Sequence, residues 1–476
     1  MSSYPNIRML IDGQWIERPG EPVLNPADGL VIGSVPHALD QDLIDAVAAA
    51  KKGAKIWRNT SPAKRSEVLL GAVDLLRQRI DGIAMAITLE QGKTLVQARA
   101  EVLRGCDLIT WDAGEARRIY GRVIPAEPGM RHTVIREPIG VVAAFTPWNY
   151  PMSSPARKIG GALAAGCSIV LKAAEETPAG AMLLAQAFMD AGLPAGVLNL
   201  VFGHPSRISS MLIAHPDVSM VTFTGSTEVG KQLAALAGLH MKPSIMELGG
   251  HAPVIVCEDA DPEQTAAACL DGKINNGGQV CVAPTRFFVD ASLYERFVTA
   301  MGQRARGIQV GPGVLPASQM GPVTNSRRLA ALQDMTADAL GRGARLVSGG
   351  QRLDGSGYFW PMTVIADVPE DALAMKTEPF GPLCLLTPTQ GLDDAIARAN
   401  SLPFGLAGYA FTQSASHAYR LSHELQVGNL AINHLVSAVS ETPFGGVKDS
   451  GHGREGGVEG LECYTHVKSI SHKVFV

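Results

Sequence analysis

Gly140-Val141-Val142-Ala143-Ala144-Phe145 is an uninterrupted apolar run of strand length, opened by glycine and followed within two residues by proline. A helix-forming segment follows from about Ser153 to Ala165, then a second apolar run, Ser168-Ile169-Val170-Leu171, and a second helical segment from about Thr177 to Ala191. Val197 to Val201 and Val218 to Phe223 continue the rhythm, each followed by a helical stretch. Strands that are apolar on both faces need cover on both faces, and alternation with helices supplies it. The pattern therefore predicts a parallel, doubly wound α/β sheet. A second alternating set (Pro253 to Val256, Thr285 to Val289, Leu383 to Thr387, Gly408 to Phe411 and Gly428 to Ile432) predicts a second α/β domain.

Upstream, residues 1–36 hold short strand-like pieces, Met9-Leu10-Ile11 and Trp15-Ile16, broken by Pro and Gly. From Asp40 to about Gly105 the apolar spacing is helical, as in Leu43, Val47 and Ala50, or Val68, Leu69, Val73 and Leu76. Arg117 to Arg136 reads as two extended runs about Pro125–Gly129, a hairpin projecting from the body. The tail from Tyr464 to Phe475 alternates like an exposed strand, an edge that invites pairing with another chain.

Bulk properties narrow the function classes. The 476 residues are 46% hydrophobic and 18% charged, as in ordinary globular enzymes. A net charge of -4 gives no case for nucleic acid or a membrane surface as partner. The 7 cysteines are scattered and never spaced as CxxC, which points to a reduced, cytoplasmic setting and to no metal site. No basic-then-apolar leader pattern opens the chain, and no apolar run is long enough to span a bilayer.

Three stretches carry chemistry. In Asn275-Asn276-Gly277-Gly278-Gln279-Val280-Cys281, a thiol ends a glycine- and amide-rich turn just before a strand, the manner in which a reactive cysteine is presented. In Thr222-Phe223-Thr224-Gly225-Ser226-Thr227, a strand runs into a turn where Ser226 and Thr227 can cap a helix whose free amides favour phosphate. Lys172-Ala173-Ala174-Glu175 closes another strand at the same end of the sheet, where ligands of open α/β sheets gather. The dinucleotide fingerprint GxGxxG occurs only at Gly451 to Gly456, with no apolar strand before it and too little chain after it for a βαβ unit, and is discounted.

Taken with Thr146-Pro147-Trp148-Asn149-Tyr150-Pro151, Glu247-Leu248-Gly249-Gly250, Glu378-Pro379-Phe380-Gly381-Pro382 and Pro443-Phe444-Gly445-Gly446, these motifs span nearly the whole chain in one order. The sequence resembles the NAD(P)-dependent aldehyde dehydrogenase superfamily. It is most similar to the succinate-semialdehyde dehydrogenase group, through Gln91-Gly92-Lys93, Ala98-Arg99, Ile119-Tyr120-Gly121, Arg157-Lys158 and Val447 to Gly456. The resemblance implies a Rossmann-type cofactor domain (1–116 and 138–247), an α/β catalytic domain (248–446) and a β oligomerisation arm (117–137 and 463–476) that builds a homodimer or homotetramer.

It also implies roles. Cys281 matches the nucleophile, and the Asn149 side chain with the Cys281 backbone N–H matches the oxyanion hole. Glu247 matches the base that activates water, and relatives that pass the acyl group to coenzyme A generally lack it. Thr146, Pro147 and Trp148 match positions along the pyrophosphate and nicotinamide, and Lys172 and Glu175 the adenosine ribose. Gly225 and Ser226 match the pyrophosphate site, Glu378 and Phe380 the nicotinamide ribose, and Leu248 completes the cofactor set. A carboxylate at Glu175 would face the 2′-phosphate of NADP, so NAD is the expected cofactor with NADP as the alternative.

Arg157 matches an arginine that grips a distal carboxylate. The group's second arginine is Asn275 here, and its serine before Pro443 is replaced by Ala438 or Val439, flanked by Ser437 and Ser440. Ala283 stands where some members carry a second cysteine. The substrate is therefore open between succinate semialdehyde and an aromatic or other small aldehyde; a CoA-acylating enzyme and a non-enzymatic relative are further alternatives.

Overall fold

A computed structural model describes residues 4–436 and 438–473. Its larger sheet has eight strands in the order Gln14–Ile16, Met9–Ile11, Leu198–Val201, Ser168–Lys172, Val141–Phe145, Val218–Thr224, Ser244–Glu247 and Gly451–His452. The five from Leu198–Val201 to Ser244–Glu247 are mutually parallel, and the flanking strands join antiparallel. Every residue of Val141–Phe145 and Ser168–Lys172 is buried, as expected for strands covered on both faces. The chain steps outward from Val141–Phe145 in one direction and then restarts on its other side with Val218–Thr224. That reversal opens a crevice beyond the carboxyl ends of these two strands, where Thr146 to Asn149 and Gly225-Ser226 follow.

The second sheet has seven strands in the order Arg345–Ser348, Thr363–Ala366, Leu383–Thr389, Arg286–Asp290, Pro253–Val256, Ala407–Phe411 and Asn429–Ile432, parallel except for the first pair. Alternation along its strands divides its core. Val254, Val256, Phe287 and Val289 pack on one face, while Ile255 and Phe288 pack on the other. Burying one such side chain contributes roughly 1.5–3 kcal/mol, so the two faces together anchor this sheet firmly.

The hairpin forms as Arg122–Ile124 and Met130–Pro138, and Thr465–Lys473 pairs antiparallel along the whole of Met130–Pro138. The tail strand thus finds its first partner within its own chain, because nine residues of the hairpin offer it a matching ladder. Only its outer edge is left for another molecule. Residues 474–476, including Phe475, lie outside the described residues. Two hairpin-like pairings escaped the sequence reading, Gly20–Leu24 with Val31–Pro36 and Arg345–Ser348 with Thr363–Ala366. The first is largely exposed, so no apolar period marks it.

The segment Gly451 to Gly456 is no nucleotide turn. Gly451-His452 adds an antiparallel edge strand against Met246-Glu247, and the segment then delivers Glu455 to the interior.

Candidate active site

A cavity of about 690 Å³ lies beyond the crevice, and both sheets contribute to its walls. Cys281 reaches it from a tight turn. Asn276, Gly277 and Gly278 all have positive φ (52°, 58° and 71°), and a side chain at Gly278 would strike the carbonyl of Gly381 at 2.4 Å. Only glycine fits there, and asparagine is among the few other residues that tolerate the left-handed region. The turn is fixed by Asn276, whose Nδ2 donates to the backbone carbonyls of Asn149 (2.8 Å) and Gln279 (3.2 Å).

Asn149 is placed from the other side. Its Nδ2 donates to the Gln279 carbonyl (3.0 Å), which leaves the second hydrogen of that amide available to the cavity. Its backbone carbonyl is held by Lys93 Nζ at 2.9 Å, and Lys93 is paired with Glu101 at 2.5 Å. Glu101 in turn accepts from the amides of Met152 (2.9 Å) and Ser153 (3.2 Å), the start of a helix that has no side-chain cap of its own. One buried carboxylate thus fixes a helix N-terminus directly and, through Lys93, the backbone of Asn149. Among the described residues the backbone N–H of Cys281 donates to no other group.

Glu247 ends a buried strand, and its Oε1 is buried with no hydrogen-bond partner. Burial, then the neighbouring Glu455, holds its carboxyl well above the usual carboxylate range, against the pull of Lys158 and Arg157. Cys281 is partly buried on the cavity wall, and burial followed by Glu247 and Glu378 pushes its thiol up to about 12. Burial also raises Glu378 to about 8, and the amide of Gly250 is the largest opposing influence. Trp148 and Phe380 meet edge to face, their centroids 5.4 Å apart, on the same wall.

At the crevice the helix Thr227–Leu239 begins at Ser226, which has the extended N-cap conformation but makes no capping hydrogen bond; Thr227, also expected to cap, has an unpartnered buried Oγ1. The first amides of this helix are therefore free for an anion, and the helix packs tightly enough that a side chain at Gly230 would strike Leu248. The hydroxyl of Thr146 is likewise buried and unpartnered. Free amides and orphan hydroxyls at a switch point fit the pyrophosphate of a dinucleotide.

Pro147, Trp148, Gly225, Ser226, Leu248, Glu378 and Phe380 line the cavity with Cys281, Glu247, Asn149 and Arg157. Thr146, Lys172 and Glu175 stand outside its lining. Lys172 and Glu175 pair at 2.6 Å, and Glu175 also accepts from the Gly203 amide at 3.1 Å.

Arg157 is one-tenth exposed; its Nε lies 3.9 Å from Glu455, and its guanidinium sits 5.0 Å over the Phe444 ring. Lys158 is wholly buried and bonds Thr222 (2.9 Å) and Glu455 (2.7 Å), which ties helix, sheet and tail together. Sequence reasoning missed Glu455, Glu101 and Arg104. Glu455 hides in the discounted glycine motif. Glu101 and Arg104 are charges on the helix Leu95–Glu115, about two turns and one turn before Leu108, a spacing that marks a single helix face. Ala438 lines the cavity, Val439 and Ser440 line a neighbouring crevice, and Ser437 lies outside the described residues.

Residues 15–470 match the aldehyde dehydrogenase family, and the chain is a member of it. It is an oxidoreductase of the NAD(P)-using aldehyde dehydrogenases. Among its relatives is the 4-(hydroxymethyl)benzenesulfonate dehydrogenase of Comamonas testosteroni, 48% identical over 98% of each chain. The succinate-semialdehyde dehydrogenase [NADP(+)] of Escherichia coli is 39% identical over 96% of each chain. The crystal structure of succinate-semialdehyde dehydrogenase from Burkholderia pseudomallei superposes with a TM-score of 0.96 at 36% identity, over 98% of each chain. Among the described residues no helix is long and apolar enough to cross a membrane.

Proposed function

We propose that this aldehyde dehydrogenase oxidises a small aldehyde to the free acid by covalent catalysis at Cys281. The observation that carries the reading is the unpartnered Oε1 of buried Glu247 on the same cavity wall as the Cys281 thiol and its free N–H. The Cys281 thiol gives up its proton to water as its sulfur adds to the carbonyl carbon, and the oxyanion so formed takes hydrogen bonds from the Cys281 N–H and the free hydrogen of Asn149 Nδ2. NAD(P), when bound, supplies the hydride acceptor. Removal of hydride leaves a thioester on Cys281. Glu247 then takes a proton from water as the water attacks that thioester, releasing acid and restoring the thiol. A carboxyl whose proton affinity is raised by burial is a better base for this step than an ordinary surface carboxylate.

The crevice residues Thr146, Pro147, Gly225, Ser226 and Leu248 would hold the dinucleotide, with Glu378 and Phe380 toward its nicotinamide ribose and Lys172 and Glu175 toward its adenosine ribose. Glu175 favours NAD over NADP, because its carboxylate opposes a 2′-phosphate. We assign 1–116 and 138–247 to cofactor binding, 248–446 to catalysis, and 117–137 with 463–476 to an arm that joins subunits.

For the substrate body, Trp148, Tyr150 and Phe444 on the cavity wall favour an aryl aldehyde, as does similarity to the benzenesulfonate-alcohol dehydrogenase. Succinate semialdehyde is the second reading, favoured by Arg157 and the semialdehyde-oxidising relatives. The test is NADH and NADPH formation from benzaldehyde, its 4-substituted derivatives and succinate semialdehyde, with Cys281→Ala alongside. Full turnover in Cys281→Ala on any of them would overturn the covalent route.

A further inference from the structure

The loop position that would carry a second carboxylate-binding arginine is Asn275, whose Nδ2 donates to the hydroxyl of Tyr150 at 3.1 Å and brings no charge. A guanidinium enters the same space from another element. Arg104, on the helix Leu95–Glu115, lines the catalytic cavity and also the adjoining crevice, so it stands at their junction together with Tyr150 and Asn275.

Its charge is not spoken for. Arg104 is exposed, and among the described residues it makes no hydrogen bond or ion pair. Of the acids that line the cavity and crevice beside it, Asp271 is paired with Arg304, Asp107 with Arg77 at 3.8 Å and Glu101 with Lys93, while Glu441 is an exposed side chain of the crevice. Glu101 sits one turn earlier on the same helix face with its side chain locked, so the backbone from which Arg104 projects is rigid.

Arg157 faces the same cavity, and its Nη1 is buried with no partner. The positive charge of Arg104 lowers the proton affinity of Arg157, of Tyr150 and of Cys281, which places all four groups within one electrostatic neighbourhood. Two guanidinium groups converging on one cavity repel each other unless an anion sits between them, and planar oxyanions are the groups a guanidinium recognises best.

We propose that Arg104 is a substrate-binding residue that, with Arg157, clamps an anionic group, carboxylate or sulfonate, at the end of the aldehyde remote from the reacting carbon. This rests on the aldehyde-oxidation reading and adds the tail chemistry to it. The charge supplied from the nucleophile loop in a two-arginine clamp is supplied here from a helix. The cavity consequently carries an uncharged amide and a phenol, Asn275 and Tyr150, at the loop position of the second arginine.

The test compares wild type, Arg104→Met and Arg104→Lys, each loaded with NAD or NADP, on 4-formylbenzenesulfonate, 4-carboxybenzaldehyde and succinate semialdehyde, with 4-methylbenzaldehyde as the neutral reference. A charge-assisted pair is worth enough that the anionic-to-neutral ratio of kcat/KM should fall about tenfold to hundredfold in Arg104→Met. KM should carry the loss, and Arg104→Lys should recover part of it. The arm that falls most identifies sulfonate or carboxylate as the tail. A ratio unchanged within about twofold in Arg104→Met would overturn the assignment.

Calorimetric binding of 4-sulfobenzoate and terephthalate, against 4-methylbenzoate, reads the clamp without turnover. If no aldehyde is oxidised, the functional reading fails while this titration still decides the clamp. Wild-type binding of the dianions no tighter than 4-methylbenzoate, or equal binding by Arg104→Met, would refute it.

Discussion

Glu101→Gln should be among the most damaging conservative substitutions in the chain, although Glu101 lines no part of the catalytic cavity. Both Glu101 and Lys93 are 1% exposed, and among the described residues Glu101 is the carboxylate in ion-pair contact with the Lys93 ammonium. Glutamine keeps an oxygen for the Met152 and Ser153 amides but leaves a buried cation unpaired. Removing one partner of such a pair costs about 3–5 kcal/mol, a large share of the ~5–15 kcal/mol that holds a typical domain folded. The assay is urea unfolding followed by tryptophan fluorescence at fixed protein concentration.

The damage should also depend on pH. Burial already lowers the proton affinity of Lys93, and Glu101 is the main influence that restores it. Without Glu101 the folded protein favours neutral Lys93, so the variant should regain stability as pH rises toward the ordinary lysine value. Lys93→Met combined with Glu101→Gln removes the stranded charge and should be less destabilised than Glu101→Gln alone. Turnover should fall with stability, because Lys93 holds the carbonyl of Asn149. A loss below about 1 kcal/mol, or a double variant worse than the sum of the two single ones, would refute the reasoning.

Other consequences can be checked separately. The steady-state rate needs Glu247 as its carboxylate, so the acid limb of the kcat profile should lie above the ordinary carboxylate range; a limb at the ordinary value would contradict the burial seen here. Glu378 titrates at about 8 when folded and near 4.5 when unfolded, so its neutral form stabilises the fold at low pH and that contribution is lost as pH rises through about 8. Glu378→Gln should flatten this dependence, measured by urea unfolding across that window. Glu175→Ala should raise kcat/KM with NADP relative to NAD by about tenfold or more, and an unchanged ratio would remove Glu175 from cofactor selection. Ile470→Glu on the tail strand should shift the subunit assembly toward smaller species in light scattering; an unaltered mass would show that this edge does not join subunits.

How much of this could be read from the chain differs by element. The doubly wound sheet was legible because strands such as Val141–Phe145 and the Ile169-Val170-Leu171 centre of Ser168–Lys172 are apolar without a break and helices of ordinary length separate them. The seven-stranded sheet was legible for the same reason along Pro253–Val256 and Arg286–Asp290. Exposed or short strands, such as Gly20–Leu24 and Gly451–His452, carry no such period and form only because a partner strand is nearby.

Within the site, Cys281, Glu247 and Asn149 announced themselves through the motifs around them, and the structure brings them to one cavity. The charges that position or surround them did not. Glu455 lies far along the chain from Arg157 and Lys158, and Glu101 becomes a cap only when its helix lies against the start of Ser153–Ala165. Such groups are defined by tertiary contact, and no local pattern encodes it.

The most direct test is a rapid mix of Glu247→Gln with NAD and a competent aldehyde, read as NADH formed and as the intact mass of the protein. One NADH per active site, followed by a near halt and an acyl adduct mapped to Cys281, is the expected result. Sustained wild-type turnover, with no adduct on Cys281, would contradict the covalent route and the role of Glu247 together.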